Sequence, residues 1–222
     1  MPAVIFDLDG VLIDSEELQY RAYGKVLAEL GVEVTREEYA REWIAGGRGP
    51  EYIVAKHQLP LSAAELRARK DPVYHQILRD DVALMTAVMP ALERLHRRFP
   101  LAVATNSNTA DVGYVMRRFQ LGRFFRAVIT REMYENSKPA PDAFLAAAAM
   151  LGLPAAQCVV VEDSERGVVA AHRAGARCVA IPHPFTASHD FALADRVIGN
   201  LEDLTVELIE VMLGSQSAHG GR

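Results

Sequence analysis

Residues 3–15 read AVIFDLDGVLIDS, a short apolar run that meets two carboxylates two positions apart and then a glycine. An apolar run without alternation marks a strand buried on both faces, as in a parallel sheet. The spacing predicts strand one over residues 3 to 8, with Asp7, Asp9 and Gly10 at its carboxyl end. In open parallel α/β sheets ligands sit just beyond the carboxyl ends of the strands, so one stretch decides the fold class and the first place to look for chemistry.

The rhythm then changes. From Glu16 to about Arg79, Leu18, Ala22, Val26 and Leu30 recur at helical spacing and no strand-like run interrupts the pattern. Breaks at Gly31, at the Gly46-Gly47-Arg48-Gly49-Pro50 cluster and at Leu59-Pro60-Leu61-Ser62 imply about four helices. Beyond Asp80-Asp81 helices and strands alternate: a helix from Ala91 to Arg98, LAVAT, a helix through Met116, AVIT, a helix from Pro141, CVVVE, a helix through Ala170, and CVAI. That alternation implies an α/β fold with a parallel sheet and helices on both faces. Strand one cannot bury both its faces alone and must join that sheet. The expected organisation is therefore a discontinuous core, residues 1–14 and 83–222, interrupted by a helical insert at 15–82. The closing GSQSAHGGR, residues 214–222, is small and polar and is expected to fray.

The totals exclude several function classes. Half of the 222 residues are hydrophobic, enough for a sizeable core. A net charge of -5, from 24 Lys plus Arg against 29 Asp plus Glu, offers no general field for a nucleic-acid backbone. No apolar stretch approaches the roughly 18 residues that span a bilayer, and the N-terminus lacks a basic segment followed by an apolar one. Cys158 and Cys178 lie in apolar β-rich runs and read as buried thiols. The expectation is a soluble, cytoplasmic protein with neither nucleic acid nor membrane as partner.

Four polar clusters fall at or soon after strand ends: Asp7 and Asp9, Thr105 and Asn106, Lys138, and Glu162 and Asp163. Carboxylates with a lysine can hold both a hard cation and a phosphoryl group. Mg²⁺ takes oxygen ligands, here Asp7, Asp163 and the Asp9 main-chain carbonyl, with Glu162 beyond them or bridged by water. A carboxylate beside such a cation can attack phosphorus, which divides hydrolysis into formation and breakdown of an aspartyl-phosphate on Asp7. Asp9 then serves as general acid and, in the second half, as base. The Thr105 hydroxyl, the Asn106 amide and the Lys138 ammonium are placed to hold phosphoryl oxygens.

Each cluster alone has a plainer reading. Asp7 and Asp9 suit a turn, Thr105 to Ser107 suit a helix cap, Asp163-Ser164 suit another, and Lys138 suits a solvated loop. Together, in order and each beside a parallel strand, they meet the requirements of one reaction. Trp43 reads as core of the insert, and His183 as a loop residue, since the seven histidines show no ligand spacing.

The segments DLDGVLIDS, VATNSN, KPAPDAF and VVVEDSERGV followed by AGA resemble the haloacid dehalogenase superfamily of phosphatases, over Met1 to about Pro182. The resemblance implies a Rossmann-like core, a four-helix cap inserted after strand one, a Mg²⁺ requirement and a cap that closes over a small phosphorylated substrate. It gives the same roles to Asp7, Asp9, Thr105, Lys138 and Asp163. Dehalogenases proper lack the second aspartate and work without metal, so Asp9 and Asp163 speak against carbon-halogen chemistry. SKPAPDAF and VEDSERGV look most like the β-phosphoglucomutase, sugar-phosphatase and phosphoglycolate-phosphatase branch.

Within that branch, a phosphosugar mutase is the rival expectation. Mutases of the group carry a hinge histidine soon after the first motif, where SEELQYRAY offers Gln19, which favours a hydrolase. A non-catalytic metabolite-binding protein on the same fold would need a lost core residue, and none is lost. In WIAGGRGPEY, Gly47 and Arg48 fall in the loop that reaches the substrate in these relatives, so Arg48 is a candidate grip on a distal phosphate or carboxylate. A surface arginine in a glycine loop is the alternative.

Overall fold

The computed structural model describes residues 1–214, and every statement below concerns these described residues. The expected frayed tail lies outside them apart from Gly214.

Contacts divide the chain into two units. The first holds residues 1–13, 84–183 and 190 onward; the second holds residues 14–83 and 184–189. In the first unit β1 (Ala3–Phe6) is fully buried and pairs in parallel with both β2 (Leu101–Ala104) and β4 (Cys158–Glu162). With β3 (Phe125–Ile129), β5 (Arg177–Ala180) and β6 (Arg196–Val197) it forms a parallel six-stranded sheet in the order β3-β2-β1-β4-β5-β6. The buried central strands read as Val, Ile, Ala and Leu on both faces, as burial under helices requires. Register sets the site: Phe6 lies opposite Val103 and Val161, so Asp7 emerges level with the ends of β2 and β4.

The α/β core is the one the sequence implies, with three differences. Strand one ends at Phe6, because the chain turns after Asp7 and the amides of Leu12 and Ile13 bond back to the Leu8 carbonyl. The helix expected over 91 to 98 occupies Val88–Leu95, with Pro90 accommodated in its first turn. Neither β6 nor the helix Val206–Gly214 was expected: β6 is two exposed residues without alternation, and that helix buries only Ile209 and Met212.

The second unit is helical. It contains α1 (Ser15–Glu29), α2 (Arg36–Glu38), which runs into a π-helical segment at Tyr39–Ala45, α3 (Gly49–His57) and α4 (Ala63–Asp81). Asp14 caps α1 by accepting from the Glu17 amide, and Ser62 with Glu65 forms a capping box on α4. Trp43 is buried among Tyr23, Val26, Tyr39 and Ile53, as core of this unit. Residues 184–189 depart from the expected boundaries, since Phe185 is 3% exposed and joins the same cluster. Its ring centroid lies 5.5 Å from Tyr39 and 6.0 Å from Tyr20. Cys158 and Cys178 are free, buried thiols on β4 and β5, and no helix is long and apolar enough to cross a membrane.

Candidate active site

Continuing in chain order through the first unit, α5 (Val88–Leu95), α6 (Thr109–Arg118), α7 (Asp142–Met150) and α8 (Glu165–Ala174) flank the sheet, and the expected site residues gather at the carboxyl ends of β1, β2 and β4. Asp7 is fixed by its amide, which donates to the Val161 carbonyl at 2.9 Å. Lys138 approaches from the loop before α7 and is 3% exposed. Its ammonium donates to Asp7 Oδ1 at 2.5 Å, to Glu162 Oε1 at 2.7 Å and to the Ala104 carbonyl at 3.0 Å. An ammonium has three protons, and all three are committed within the protein. Expected to hold phosphoryl oxygens, Lys138 here holds the two carboxylates.

Burial alone would lower the Lys138 pKa, but Asp7 and Glu162 outweigh it and keep the group cationic. Burial pushes the Asp7 carboxyl up to about 8, with Lys138 pulling down and Glu162 and Asp9 pushing further up. Among the described residues no hydrogen bond reaches Asp7 Oδ2.

Glu162 is saturated. Its Oε2 accepts from the Asp163 amide at 3.0 Å, the Ser164 amide at 3.1 Å and the Ser164 hydroxyl at 2.9 Å. The first turn of α8 admits this carboxylate only because residue 167 is glycine: a Cβ there would lie 1.8 Å from Glu162 Cδ. Gly10 does the same for Asp163, with φ at +74° and a Cβ that would meet Asp163 Oδ2 at 2.2 Å. Carboxylate oxygens of Asp7, Glu162 and Asp163 lie within 4.8 Å of one another. A buried set of hard oxygen donors from three carboxylates fits a cation such as Mg²⁺.

Asp9 is served by hydroxyls. Thr105 Oγ1 donates to Asp9 Oδ2 at 2.9 Å and Ser107 Oγ at 2.6 Å, while the Ser107 amide donates to Thr105 Oγ1 at 3.0 Å. The cap of α6 is Asn108, which accepts from the Asp111 amide at 2.9 Å, so Thr105 and Ser107 are not its cap. Thr105, expected on phosphate, donates to Asp9 in this structure, as Ser107 does. The T-x-S spacing was the sequence signal for Ser107, since alternate residues of an extended segment share a side. Asn106 Oδ1 accepts from the Tyr134 hydroxyl at 2.7 Å and from the Lys138 amide at 3.3 Å.

These groups open onto a cavity of about 180 Å³ lined by Asp7, Asp9, Asn106, Lys138 and Glu162, together with Ser164 and Arg166, which the sequence did not single out. A larger cavity of about 430 Å³, around His172, Arg177 and Asp195, contains none of the expected residues. His183, in the loop after β5, is 4% exposed.

Gln19, Gly47 and Arg48 belong to the helical unit. Gln19 Oε1 accepts from Lys70 at 2.8 Å; Lys70 is buried, with its ammonium 5.3 Å from the Tyr23 ring centre and 4.9 Å from that of Tyr74. Arg48 pairs with Glu42 at 3.0 Å and lies over Tyr52, and Gly47 adopts a φ of +61°.

The sequence matches the model of a haloacid dehalogenase-like hydrolase over residues 4–181. It is 33% identical over 186 residues to Protein SUPPRESSOR OF QUENCHING 1 of Arabidopsis thaliana, covering 81% of this chain but only 18% of that protein. It is 31% identical over 177 residues to fructose-1-phosphate phosphatase YqaB of Escherichia coli, covering 78% of this chain and 92% of that one. Among solved structures it is similar to a CbbY mutant from Rhodobacter sphaeroides in complex with xylulose-(1,5)bisphosphate. That match has 30% identity and a TM-score of 0.76, with 92% of this chain and 96% of the other covered.

Proposed function

The chain belongs to the haloacid dehalogenase-like hydrolases, and from that premise we propose that it is a Mg²⁺-dependent phosphatase of a small phosphorylated metabolite that works through an aspartyl-phosphate on Asp7. The observation that carries the proposal is the asymmetry of Asp7: Oδ1 is bound by Lys138, and Oδ2 is unbonded in a cavity shared with Asp9.

In this reading Asp7 Oδ2 attacks phosphorus as the bond from phosphorus to the ester oxygen breaks. Asp9 gives its proton to the departing oxygen, then takes a proton from the water that attacks the aspartyl-phosphate, releasing phosphate and restoring Asp7. The Thr105 and Ser107 hydroxyls keep the Asp9 carboxyl in one orientation across both steps. Lys138 sets the rotamer of Asp7 and offsets its charge, and the Asn106 main-chain amide would donate to a phosphoryl oxygen. Asp7, Asp163 and the Asp9 carbonyl would hold Mg²⁺, with Glu162 beyond them, and the ion supplies charge neutralisation at the phosphoryl oxygens.

The helical unit is assigned the role of a cap that closes over the substrate, with Arg48 and Gly47 in the loop that selects it. Gln19 supports hydrolysis over mutase chemistry, since a carboxamide cannot exchange a proton at neutral pH as an imidazole can.

Phosphate release from a panel of phosphorylated sugars and small acids, with Mg²⁺ and with chelator, tests the proposal. We expect chelator-sensitive release that disappears in Asp7→Asn. Turnover retained in that variant refutes the nucleophile, and conversion of a sugar 1-phosphate to its 6-phosphate without free phosphate establishes the mutase.

A further inference from the structure

The donors around the cavity are not equally occupied. Lys138 has committed its three protons, Thr105 and Ser107 donate to Asp9, and the Ser164 hydroxyl donates to Glu162. Two side chains that line the cavity keep donors without a partner among the described residues. Asn106 accepts two bonds at Oδ1, from Tyr134 and from the Lys138 amide, which assigns the opposite end of its carboxamide as the NH₂ group. Arg166 donates through Nε at 3.1 Å and Nη2 at 2.5 Å to the Lys138 carbonyl, which leaves Nη1 unused.

The Arg166 guanidinium also has no ion-pair partner among the described residues. Lys138 faces Asp7 and Glu162 within 2.7 Å, whereas Arg166 meets a carbonyl and no carboxylate. Its guanidinium is fixed before any ligand arrives, so little side-chain freedom remains to be lost on binding. Depth separates the two sets of groups. Asp7, Lys138 and Glu162 are 6%, 3% and 1% exposed, whereas Asn106 and Arg166 are exposed at the mouth. A phosphoryl group that reaches buried Asp7 leaves the rest of its molecule towards the exposed side of the cavity, which Asn106 and Arg166 line.

We infer that the Asn106 carboxamide and the Arg166 guanidinium form a subsite at the mouth for a second anionic group, so that the substrate is a small phosphate monoester that also carries a carboxylate or a second phosphate. The inference rests on the phosphatase reading for the placement of the first phosphate. Guanidinium and carboxamide donors match the oxygens of either anion, and a cavity of about 180 Å³ suits a short molecule.

Calorimetry with non-hydrolysable probes tests this without turnover, so its outcome is separable from that of the phosphate-release assay. The probes are 2-hydroxyethylphosphonate, with a neutral distal group, phosphonoacetate, with a carboxylate, and propane-1,3-bisphosphonate, with a second phosphonate; all are measured at saturating Mg²⁺. We expect the unmodified protein to bind at least one of the two probes with an anionic distal group about tenfold more tightly than the neutral one, the effect of one charge-assisted pair. Which of the two it prefers identifies the group. Arg166→Gln should erase the preference and leave the affinity for 2-hydroxyethylphosphonate unchanged, and Arg166→Lys should restore part of it. Equal affinities of the unmodified protein for all three probes, or a loss in Arg166→Gln that is the same for all three, would overturn the inference.

Discussion

Asp7 sits where ionisation works against folding. Its pKa rises from 3.8 to about 8, chiefly through burial, with Glu162 and Asp9 adding to the rise and Lys138 opposing it. Between about pH 4 and pH 8 the folded, metal-free protein therefore binds more protons at this position than the unfolded chain does, so stability falls as pH rises through that window. The penalty is absent below the ordinary carboxylate range and complete above about pH 8. Asp7→Asn carries no ionisable group and escapes it. In metal-free buffer at pH 8 this variant should melt about 2–4 °C above the unmodified protein, and the gap should close towards pH 4. A variant that melts lower at pH 8 in thermal circular dichroism would contradict this account. Gly10 makes a separate claim on the neighbouring carboxylate. In Gly10→Ala the new methyl group occupies the space of Asp163 Oδ2, and the +74° φ is strained as well. The Mg²⁺ concentration for half-maximal phosphate release should rise by about tenfold or more in that variant, the usual scale for a displaced metal-site group.

At the scale of elements, the start of α8 ties helix stability to the site. Ser164 accepts from the Gly167 amide at 3.1 Å as the N-cap and donates to Glu162 at 2.9 Å. Ser164→Ala removes both bonds; the cap alone contributes about 1 kcal/mol, so the melting temperature should fall by about 2–4 °C. A change within the error of calorimetry would show that Glu162, and not the cap, holds this turn. What the sequence disclosed follows the same division between local and distant partners. The strand-end carboxylates of β1 and β4 were legible because apolar runs stop abruptly at them, and the helix breaks were legible because glycine and proline act within a few residues. Ser107 was passed over because its partner, Asp9, lies 98 residues away. Arg166 and Tyr134 were passed over for the same reason: their partners, the Lys138 and Thr105 carbonyls, are 28 and 29 residues distant. Thr105 and Lys138 were brought to the expected place but turned to carboxylates, since a residue type at a strand end says nothing of which acceptor wins its proton. β6 stayed hidden because two exposed residues have no period to read.

At the scale of the whole molecule, the chain enters the helical unit twice. It does so at residues 14–83, as the insert after β1, and again at 184–189, just beyond β5. The second visit buries Phe185 beside Tyr20 and Tyr39 with Trp43 in the same cluster, while the Arg36 guanidinium lies 5.2 Å from its ring centre. A buried aromatic ring with such neighbours contributes its transfer free energy together with the cavity its loss would leave, about 3–5 kcal/mol for Phe→Ala. All of that cost falls on the helical unit, because the contacts of Phe185 in the cluster are with residues of that unit. Phe185→Ala should therefore act locally. Amide exchange should accelerate in α1 and in the segment Tyr39–Ala45, about 100-fold or more if the lost stability appears as opening of that unit. The amides of β1, β2 and β4 should keep their protection. If instead all amides accelerate together, the two units open as one cooperative body, and residues 184–189 link their stabilities as well as their chains.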